Sequence, residues 1–373
     1  MALLGAKTEI PIRVTSGCQV KLRDLRYKEN KRATCRLVIS PEPVRGRRIV
    51  EATKTTQSDL TRQIGVRRIE WPKGSNFAFT VFDDPDGQSF ETTRLVYSFL
   101  ADLGFRTTIG VWPLDIRREP NSGGETCANP EYRAFLQDLQ AIGFEIGFHN
   151  AAPYSTTRDE TVEGLSLFQA YFGKPPAVMA NHYNADAIYW GPARLTGWRQ
   201  ALYNLITLGR TSGKWFGHVE THPSFWGDIC SEKIRYCRNF IYSDIDTLHM
   251  NPWMPYFDPL RPYVRGWYSA SEGHNACAFL KTLRERNQDR LEAEGGACIM
   301  YTHFGHGYVQ NGKLTSEFCR TMEHLARKNG WFVPVSELLD FLADTKGLTV
   351  LDDRLRRRLE TRWLWEKLFR GTS

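Results

Sequence analysis

Short apolar runs separated by amphipathic stretches dominate the chain from Asn76 onward. Eight runs have the length and the β-branched or aromatic content of buried strands, and the stretches between them repeat apolar residues at helical spacing. Strands that alternate with helices are typical of a parallel sheet covered by helices. The predicted strands are 76–82, 106–112, 144–148, 177–180, 215–219, 239–242, 297–302 and 331–333.

The number of these strand–helix units indicates a closed sheet. Seven or eight units predict an α/β fold, a distorted (β/α)7-8 barrel. An open doubly wound sheet is the alternative, but no Gly-x-Gly-x-x-Gly follows the first strand. The predicted organisation is a basic N-terminal extension or small β-subdomain over 1–73, the barrel over 74–345, and a C-terminal amphipathic helix over 346–373.

Ionisable residues follow four of the predicted strands. Asp83 and Asp84 end the first strand region, and His149, His182 and His303 follow later ones. The carboxyl ends of barrel strands form one face, so these side chains are expected to converge there. Carboxylate and imidazole ligands with one open position are typical of catalytic zinc. The pattern predicts a metal-assisted hydrolase in which one Asp binds the cation and the other acts as a base.

Aromatic residues occupy predicted loops at the same strand ends. Trp112, Tyr183 and Trp226 present flat faces that suit the apolar faces of sugar rings, and anchoring of the loops is the alternative interpretation. Asn150, beside His149, and Asp228, close to Trp226, complete the predicted substrate-binding set.

The charge of the chain is unevenly distributed. The 373 residues carry a net charge of +7, and residues 1–73 alone contain 17 Lys and Arg against 7 Asp and Glu. Such a segment suits phosphate groups or an anionic membrane surface, with a solvated extension as the alternative. No nucleic-acid motif accompanies it, so nucleic acid is not a predicted partner. Residues 1–13 lack the apolar core of a secretory signal, which predicts a cytoplasmic protein. A peripheral location at the inner membrane face is a variant of this hypothesis.

The strand-end motifs over 76–342 resemble those of the polysaccharide deacetylases, the NodB-homology group of carbohydrate esterase family 4. Residues 79–84 are similar to the family's first motif, which implies that Asp83 is the catalytic base and Asp84 a metal ligand. Residues 144–149 are similar to the second motif, which implies that His149 is a metal ligand.

The later motifs extend the resemblance. Tyr183 matches the Tyr of the third motif, whose backbone N–H helps to bind the oxyanion, and 299–303 is similar to the last motif, which implies that His303 is the acid. Two positions depart from the family. Pro153 replaces its second metal His, and Ala180 replaces the Arg that partners the base. His182 is therefore predicted, from its position alone, as the third metal ligand.

The resulting hypothesis is a metal-dependent deacetylase that hydrolyses the N-acetyl group of a sugar. The expected cation is zinc, with cobalt or manganese as alternatives, and the expected substrate is a nucleotide- or lipid-linked glycan precursor. The chain also resembles a divergent branch of the family associated with surface-polysaccharide and O-antigen biosynthesis. Two alternatives stay open: a glycoside hydrolase or other hydrolase on the same barrel, and a non-catalytic glycan-binding or scaffold protein, which Pro153 and Ala180 favour.

Overall fold

The computed structural model describes residues 69–373 and three short strands nearer the N-terminus. The chain divides into two compact units, 1–68 and 69–373. In the first unit, β1 (Ile12–Arg13), β2 (Gln19–Leu22) and β3 (Leu37–Ile39) form an antiparallel sheet in that order. The rest of the predicted basic extension up to Arg68 lies outside the described residues.

The second unit contains a closed barrel of seven parallel strands, β4-β5-β6-β7-β8-β10-β11, in which β11 pairs again with β4. The predicted (β/α) barrel is confirmed. Its strands are almost entirely buried, as expected for a parallel sheet with helices outside. The strands of this unit are β4 (Phe77–Asp83), β5 (Thr108–Val111), β6 (Glu145–Phe148), β7 (Val178–Met179), β8 (Tyr236–Tyr242), β9 (Tyr256–Phe257), β10 (Trp267–Ser271), β11 (Ala297–Thr302), β12 (Val309–Gln310), β13 (Lys313–Leu314), β14 (Gly330–Phe332) and β15 (Thr349–Val350).

The barrel is distorted in two places. β10 and β11 share only the pair Ser271 and Met300. The extra strand β14 pairs with the first half of β4, whereas β5 pairs with the last residues of β4. The amino-terminal end of the barrel is thus filled by an additional strand, and its carboxyl-terminal end is left to the loops.

Helices cover the barrel, and several begin at a side chain that caps the first turn. Ser89 accepts a hydrogen bond from the Thr92 backbone N–H, and Thr157 and Glu160 form a capping box. The helices are α1 (Phe90–Asp102), α2 (Pro130–Ala141), α3 (Arg158–Phe172), α4 (Trp198–Ile206), α5 (Gly227–Lys233), α6 (Thr247–Met250), α7 (Ala276–Thr282), α8 (Glu285–Glu294), α9 (Ser316–Ala326), α10 (Val335–Lys346) and α11 (Asp353–Arg370).

One predicted strand is wrong, another begins earlier than predicted, and one barrel strand was missed. Residues 215–219 form no strand, and β8 begins at Tyr236, three residues before the predicted strand 239–242. The barrel strand β10 was not predicted, because its sequence Trp-Tyr-Ser-Ala-Ser contains small polar residues whose burial comes from the barrel rather than from a local apolar pattern.

Two segments of the second unit that lie outside the barrel strands also pack on its core. The indole N–H of Trp71 donates to the Gly295 carbonyl oxygen over 3.0 Å, and only 4% of Trp71 is exposed. Trp71 therefore belongs to the core of this unit. The predicted C-terminal helix corresponds to α11, which packs against β8 and α4. Among the described helices, none combines the length and the apolar character needed to cross a bilayer.

Candidate metal centre

The carboxyl ends of four barrel strands bring acidic and imidazole side chains together, as the sequence predicted. Asp84 and Asp86 follow β4, His149 follows β6, His182 follows β7 and His303 follows β11. We call these five residues the acid–histidine cluster. His149, His182 and Asp84 are each less than 5% exposed.

Asp86 lies at the centre of this cluster. Its Oδ1 atom is 3.0 Å from His182 Nε2, and its Oδ2 atom is 3.3 Å from His149 Nε2. Oδ2 also lies 3.7 Å from His303 Nε2. Within the described part of the chain, two groups of residues have ligand atoms close enough to share one cation, and Asp86 belongs to both. The groups are Asp86, His149, His182 and Asp84, Asp86, His303.

The hydrogen bonds of His182 fix which of its ring nitrogens is free. Asn184 donates its amide N–H groups to the carbonyl oxygens of Ala152 and Tyr154, so its Oδ1 atom faces His182 Nδ1 at 2.8 Å. Nδ1 must then carry the proton, and Nε2 presents a lone pair to a carboxylate oxygen of Asp86. Two facing lone pairs repel each other unless a cation or a proton lies between them. Metal-ligating histidines typically donate a hydrogen bond from the ring nitrogen that does not bind the metal.

The cluster also contains buried polar atoms without hydrogen-bond partners. Asp86 Oδ2 and His149 Nδ1 are such atoms. Buried polar groups are normally paired, so these atoms point to a missing ligand. Burial raises the pKa of Asp86, but hydrogen bonds and charge from His149 and His182 outweigh burial and hold that pKa far below its usual value. Anionic Asp86 beside two imidazoles fits a divalent cation such as zinc.

Asp84 is held by an arginine rather than by the histidines. Arg238 Nη1 and Nη2 donate to its two carboxylate oxygens over 2.9 and 2.5 Å, and both residues are buried. The Arg238 guanidinium also lies over the Tyr301 ring, 4.3 Å from its centroid. This bidentate pair fixes the orientation of Asp84. Asp84 Oδ1 remains 3.7 Å from His149 Nδ1, beside the Asp86 group.

His303 faces both carboxylates from the opposite strand. Its Nδ1 atom is 2.7 Å from the His274 carbonyl oxygen, which accepts only from a protonated nitrogen. Nε2 is therefore the atom that exchanges a proton, and it lies 3.9 Å from Asp84 Oδ2. The side chain is 14% exposed, so it lies where the cluster meets solvent.

Asp83 lies behind the cluster. It is fully buried, its Oδ1 atom accepts from the Phe304 backbone N–H over 2.8 Å, and its Oδ2 atom accepts from the Tyr97 hydroxyl over 2.8 Å and from Gln88. Burial raises the pKa of Asp83 to about 8, although these hydrogen bonds oppose the shift. Both oxygens of this carboxyl group are occupied by hydrogen-bond donors, and the assignment of Asp83 as the base stays a prediction.

Three predicted substrate-binding residues are buried and support the cluster instead. Trp112, Asn150 and Trp226 are 0% exposed, and their expected direct contact with substrate stays a prediction. The Trp112 ring packs edge-on against the His182 ring at 5.2 Å. Asn150 accepts from the His182 backbone N–H and donates to Asp186. Trp226 fills the core because its indole N–H has found a backbone acceptor, the Asp186 carbonyl oxygen.

The other two predicted substrate-binding residues are accessible. Asp228 forms an exposed bidentate pair with Arg158, with both distances 2.7 Å, rather than a contact with the acid–histidine cluster. Tyr183 is 50% exposed, directly after His182, and it packs edge-on against Trp215. Its position at the rim fits the expected contact with a sugar, and the role of its backbone N–H stays a prediction.

Two residues of the site were missed from the sequence. Asp86 follows Pro85 and looks like an ordinary turn residue, and Arg238 lies in the middle of a buried strand. An arginine flanked by apolar strand residues is itself a signal, because a buried guanidinium requires an anionic partner.

Comparisons with known proteins give distant structural similarities only. The sequence matches no protein-family model, and no curated protein sequence matches it. A protein from Mycobacterium smegmatis described as a polysaccharide deacetylase is 11% identical, with 76% of this chain and 96% of that chain covered and a TM-score of 0.45. PuuE allantoinase is 12% identical, with 75% and 94% covered and a TM-score of 0.45. A family 4 acetyl xylan esterase from Clostridium thermocellum, solved with a cobalt ion, is 14% identical, with 73% and 92% covered and a TM-score of 0.35. Because these TM-scores are below 0.5, the barrel of this chain is identified from its strand pairing alone.

Proposed function

We propose that the protein is a metal-dependent hydrolase that removes the acetyl group from an N-acetylated sugar. The observation that carries this proposal is the arrangement around Asp86. Two imidazoles share its carboxylate, an arginine-bound carboxylate lies on one side, and a histidine at the cluster's opening lies on the other. Together these groups supply a cation site, a base and an acid, which are the parts that amide hydrolysis requires.

Asp86, His149 and His182 would hold the cation. Their donor set, one carboxylate and two imidazoles, favours zinc, with cobalt and manganese as alternatives. Such a cation supplies Lewis-acid chemistry, because it lowers the pKa of water and polarises an acyl carbonyl. In this proposal His182 takes the place of the family histidine that Pro153 replaces, and Asp86 takes the ligand role that the sequence motif assigned to Asp84.

Asp84 would act as the base. Its bidentate bond to Arg238 holds the carboxylate in place beside the other residues of the cluster. There it removes a proton from the water molecule that attacks the acetyl carbonyl. This assignment replaces Asp83, whose oxygens are occupied by three hydrogen-bond donors.

His303 would act as the acid. The bond from its Nδ1 atom to the His274 carbonyl oxygen fixes the ring, so that Nε2 faces the two carboxylates. Protonated Nε2 donates its proton to the amine as the C–N bond breaks. The products are acetate and the free amino sugar, so the water oxygen is retained in acetate and the amine gains one proton.

The substrate and location follow from the sequence rather than from the site. A nucleotide- or lipid-linked glycan precursor agrees with the basic segment 1–73 and with the exposed aromatic ring of Tyr183 beside the cluster. The resemblance to deacetylases of surface-polysaccharide and O-antigen biosynthesis supports the same substrate class. A cytoplasmic protein, peripheral at the inner membrane face, is part of this proposal.

A non-catalytic glycan-binding protein is the second candidate. The narrow access to the cluster favours it, because the side chains of Asp86 and His303 are only 13% and 14% exposed. An enzyme of this kind must admit both the acetyl group and water, whereas a binding protein needs only the rim around Tyr183.

Acetate release tests the proposal. The protein is loaded with zinc, cobalt or manganese and incubated with N-acetylated nucleotide sugars and lipid-linked glycans. We expect acetate and free amine from at least one substrate, loss of that activity in His149→Ala, and full activity in the control His324→Ala, which alters an imidazole on the outer helix α9. Saturable sugar binding by the metal-loaded protein without any acetate release would instead favour the binding protein.

A further inference from the structure

Helix α4 and the turn after it expose a patch of large apolar side chains. Trp198 is 57% exposed, Leu205 70%, Ile206 44% and Leu208 73%. Trp198 and Leu205 are seven positions apart and share one face of the helix. Contiguous apolar surface of this kind on a folded protein marks a place where something binds.

The patch is not the face by which α4 packs on α11. That face is already occupied, because Arg199 donates to Glu360 over 2.7 Å and the Tyr203 ring packs against Trp363 at 5.7 Å. The helix is therefore anchored through its buried residues, and the apolar patch remains after the core is complete.

The charge around the patch has one sign. Residues 196–216 contain no Asp or Glu, and Arg210 and Lys214 are both exposed in the loop that follows α4. Apolar side chains flanked by cationic ones suit a surface that is apolar beneath and anionic at its boundary.

The neighbouring helix α11 repeats the same combination. Trp365 is 53% exposed, Leu368 40% and Phe369 74%, and the rings of Trp365 and Phe369 stack at 4.9 Å. Arg354, Arg357 and Arg358 are exposed earlier on this helix. Two neighbouring segments, α4 with the loop after it and α11, thus each expose aromatic and cationic side chains, and the two helices are in contact.

We propose that the apolar patch of α4, with Arg210, Lys214 and the exposed end of α11, docks on an anionic lipid membrane. α4 is nine residues long, far below the roughly 20 residues of a spanning helix, so it lies along the interface. A second copy of the chain is a less suitable occupant. A two-fold contact would place Arg210 and Lys214 against a patch that offers them no carboxylate.

The proposed docking surface reaches the rim of the acid–histidine cluster. Lys214 Nζ donates to the Tyr183 hydroxyl over 2.9 Å, and Tyr183 directly follows His182. A substrate held by a lipid anchor would then meet the site where the protein meets the membrane. This last step rests on the proposed deacetylase activity, whereas membrane docking itself does not.

Vesicle sedimentation without substrate tests the docking surface. The full chain is mixed with vesicles of phosphatidylcholine alone or with added phosphatidylglycerol, at low and high salt. We expect binding that requires phosphatidylglycerol and weakens with salt. The double variant Trp198→Ser, Leu205→Ser should bind at least about tenfold more weakly, because interfacial binding scales with the apolar area inserted.

Matched variants keep this test specific. Ile142→Ser with Val162→Ser removes two similarly exposed apolar residues from other helices and should bind like the wild type. Arg210→Gln with Lys214→Gln should reduce the salt dependence. Equal vesicle binding by the α4 double variant and the wild type would overturn the proposal, as would a wild type that ignores vesicles and forms dimers that the double variant disrupts. His149→Ala should bind vesicles normally, so failure of the deacetylase proposal and failure of membrane docking give different results.

Discussion

The second unit buries two groups of charged side chains, and they differ in how completely their charges are matched. One is the acid–histidine cluster at the carboxyl face of the barrel. The other lies under α11, where Asp258 and Glu360 bind arginines from three segments; we call it the ionic network. Its arginines are Arg199, Arg261 and Arg356.

Every carboxylate oxygen of the ionic network has a donor. Glu360 Oε2 accepts from Arg199 Nε over 2.7 Å and from the Thr196 backbone N–H over 3.0 Å, and Oε1 lies 3.4 Å from Arg261 Nη2. Asp258 accepts from Arg261 at one oxygen and from Arg356 Nε, over 2.8 Å, at the other. Such a network holds α11 and α4 in place and leaves nothing for a ligand to satisfy.

Most of the acid–histidine cluster is also buried, but not all of its polar atoms have hydrogen-bond partners. Among the described residues, Asp86 Oδ2 and His149 Nδ1 lack hydrogen-bond partners. Unmatched buried groups cost stability and are retained where a ligand completes them. The comparison teaches that completeness of pairing, rather than charge or burial, separates the candidate site from the scaffold.

The largest expected effect is on turnover. Asp84→Asn keeps the shape of the side chain but removes the base, so the rate of acetate release should fall by about 10²–10⁴ while the cation stays bound. The measurement is steady-state kinetics on the substrate that the wild type hydrolyses. A variant that retains the wild-type rate would remove Asp84 from the mechanism.

The next largest effect is on stability. Glu360→Ala leaves Arg199 and Arg261 buried without their shared partner and should lower the free energy of unfolding by about 3–5 kcal/mol. Urea unfolding measures it. The control Asp228→Asn breaks an exposed pair with Arg158 and should cost about 0–1 kcal/mol. Similar losses in both variants would contradict the stabilising role of the ionic network.

The smallest effect distinguishes Asp83 from its neighbours. Asp83→Asn places an amide N–H group against one of three donors and should cost about 1–3 kcal/mol, with the cation still bound and turnover within a few-fold of the wild type. Loss of turnover comparable to that of Asp84→Asn would restore Asp83 as the base.

The same variant has an expected pH dependence. Burial raises the pKa of Asp83 from 3.8 to about 8, so the folded protein holds a proton that the unfolded chain releases between these pH values. This group therefore lowers the stability of the wild type as pH rises through that range, and Asp83→Asn should remove its contribution. Urea unfolding at several pH values gives the free energy of unfolding as a function of pH for both proteins. If this function has the same slope in the wild type and in Asp83→Asn, Asp83 is ionised throughout the range.

The sequence predicted the barrel and the meeting of Asp84, His149, His182 and His303, because both follow from strand order. Parallel strands place their carboxyl ends on one face, so residues after strands converge whatever the details of the loops. Asp86 and Arg238 depend on those details. Pro85 turns the chain so that Asp86 faces the histidines, and only the closed barrel brings β8 opposite Asp84.

The orientation of the predicted substrate-binding residues could not be predicted from the sequence, for a related reason. An aromatic residue after a strand has the same sequence pattern whether it points outward, as Tyr183 does, or inward, as Trp112 and Trp226 do. The direction depends on tertiary partners such as the Asp186 carbonyl oxygen, which accepts from Trp226. No local periodicity carries that information.

Metal stoichiometry tests the central claim most directly. Wild type, Asp86→Ala and Glu360→Ala are loaded with zinc, freed of loosely bound ions and measured by elemental analysis under conditions in which all three are folded. The account predicts one zinc ion per chain in the wild type and in Glu360→Ala, and none in Asp86→Ala. Zinc retained in full by Asp86→Ala, or absent from the wild type, would contradict a metal centre built on Asp86, His149 and His182.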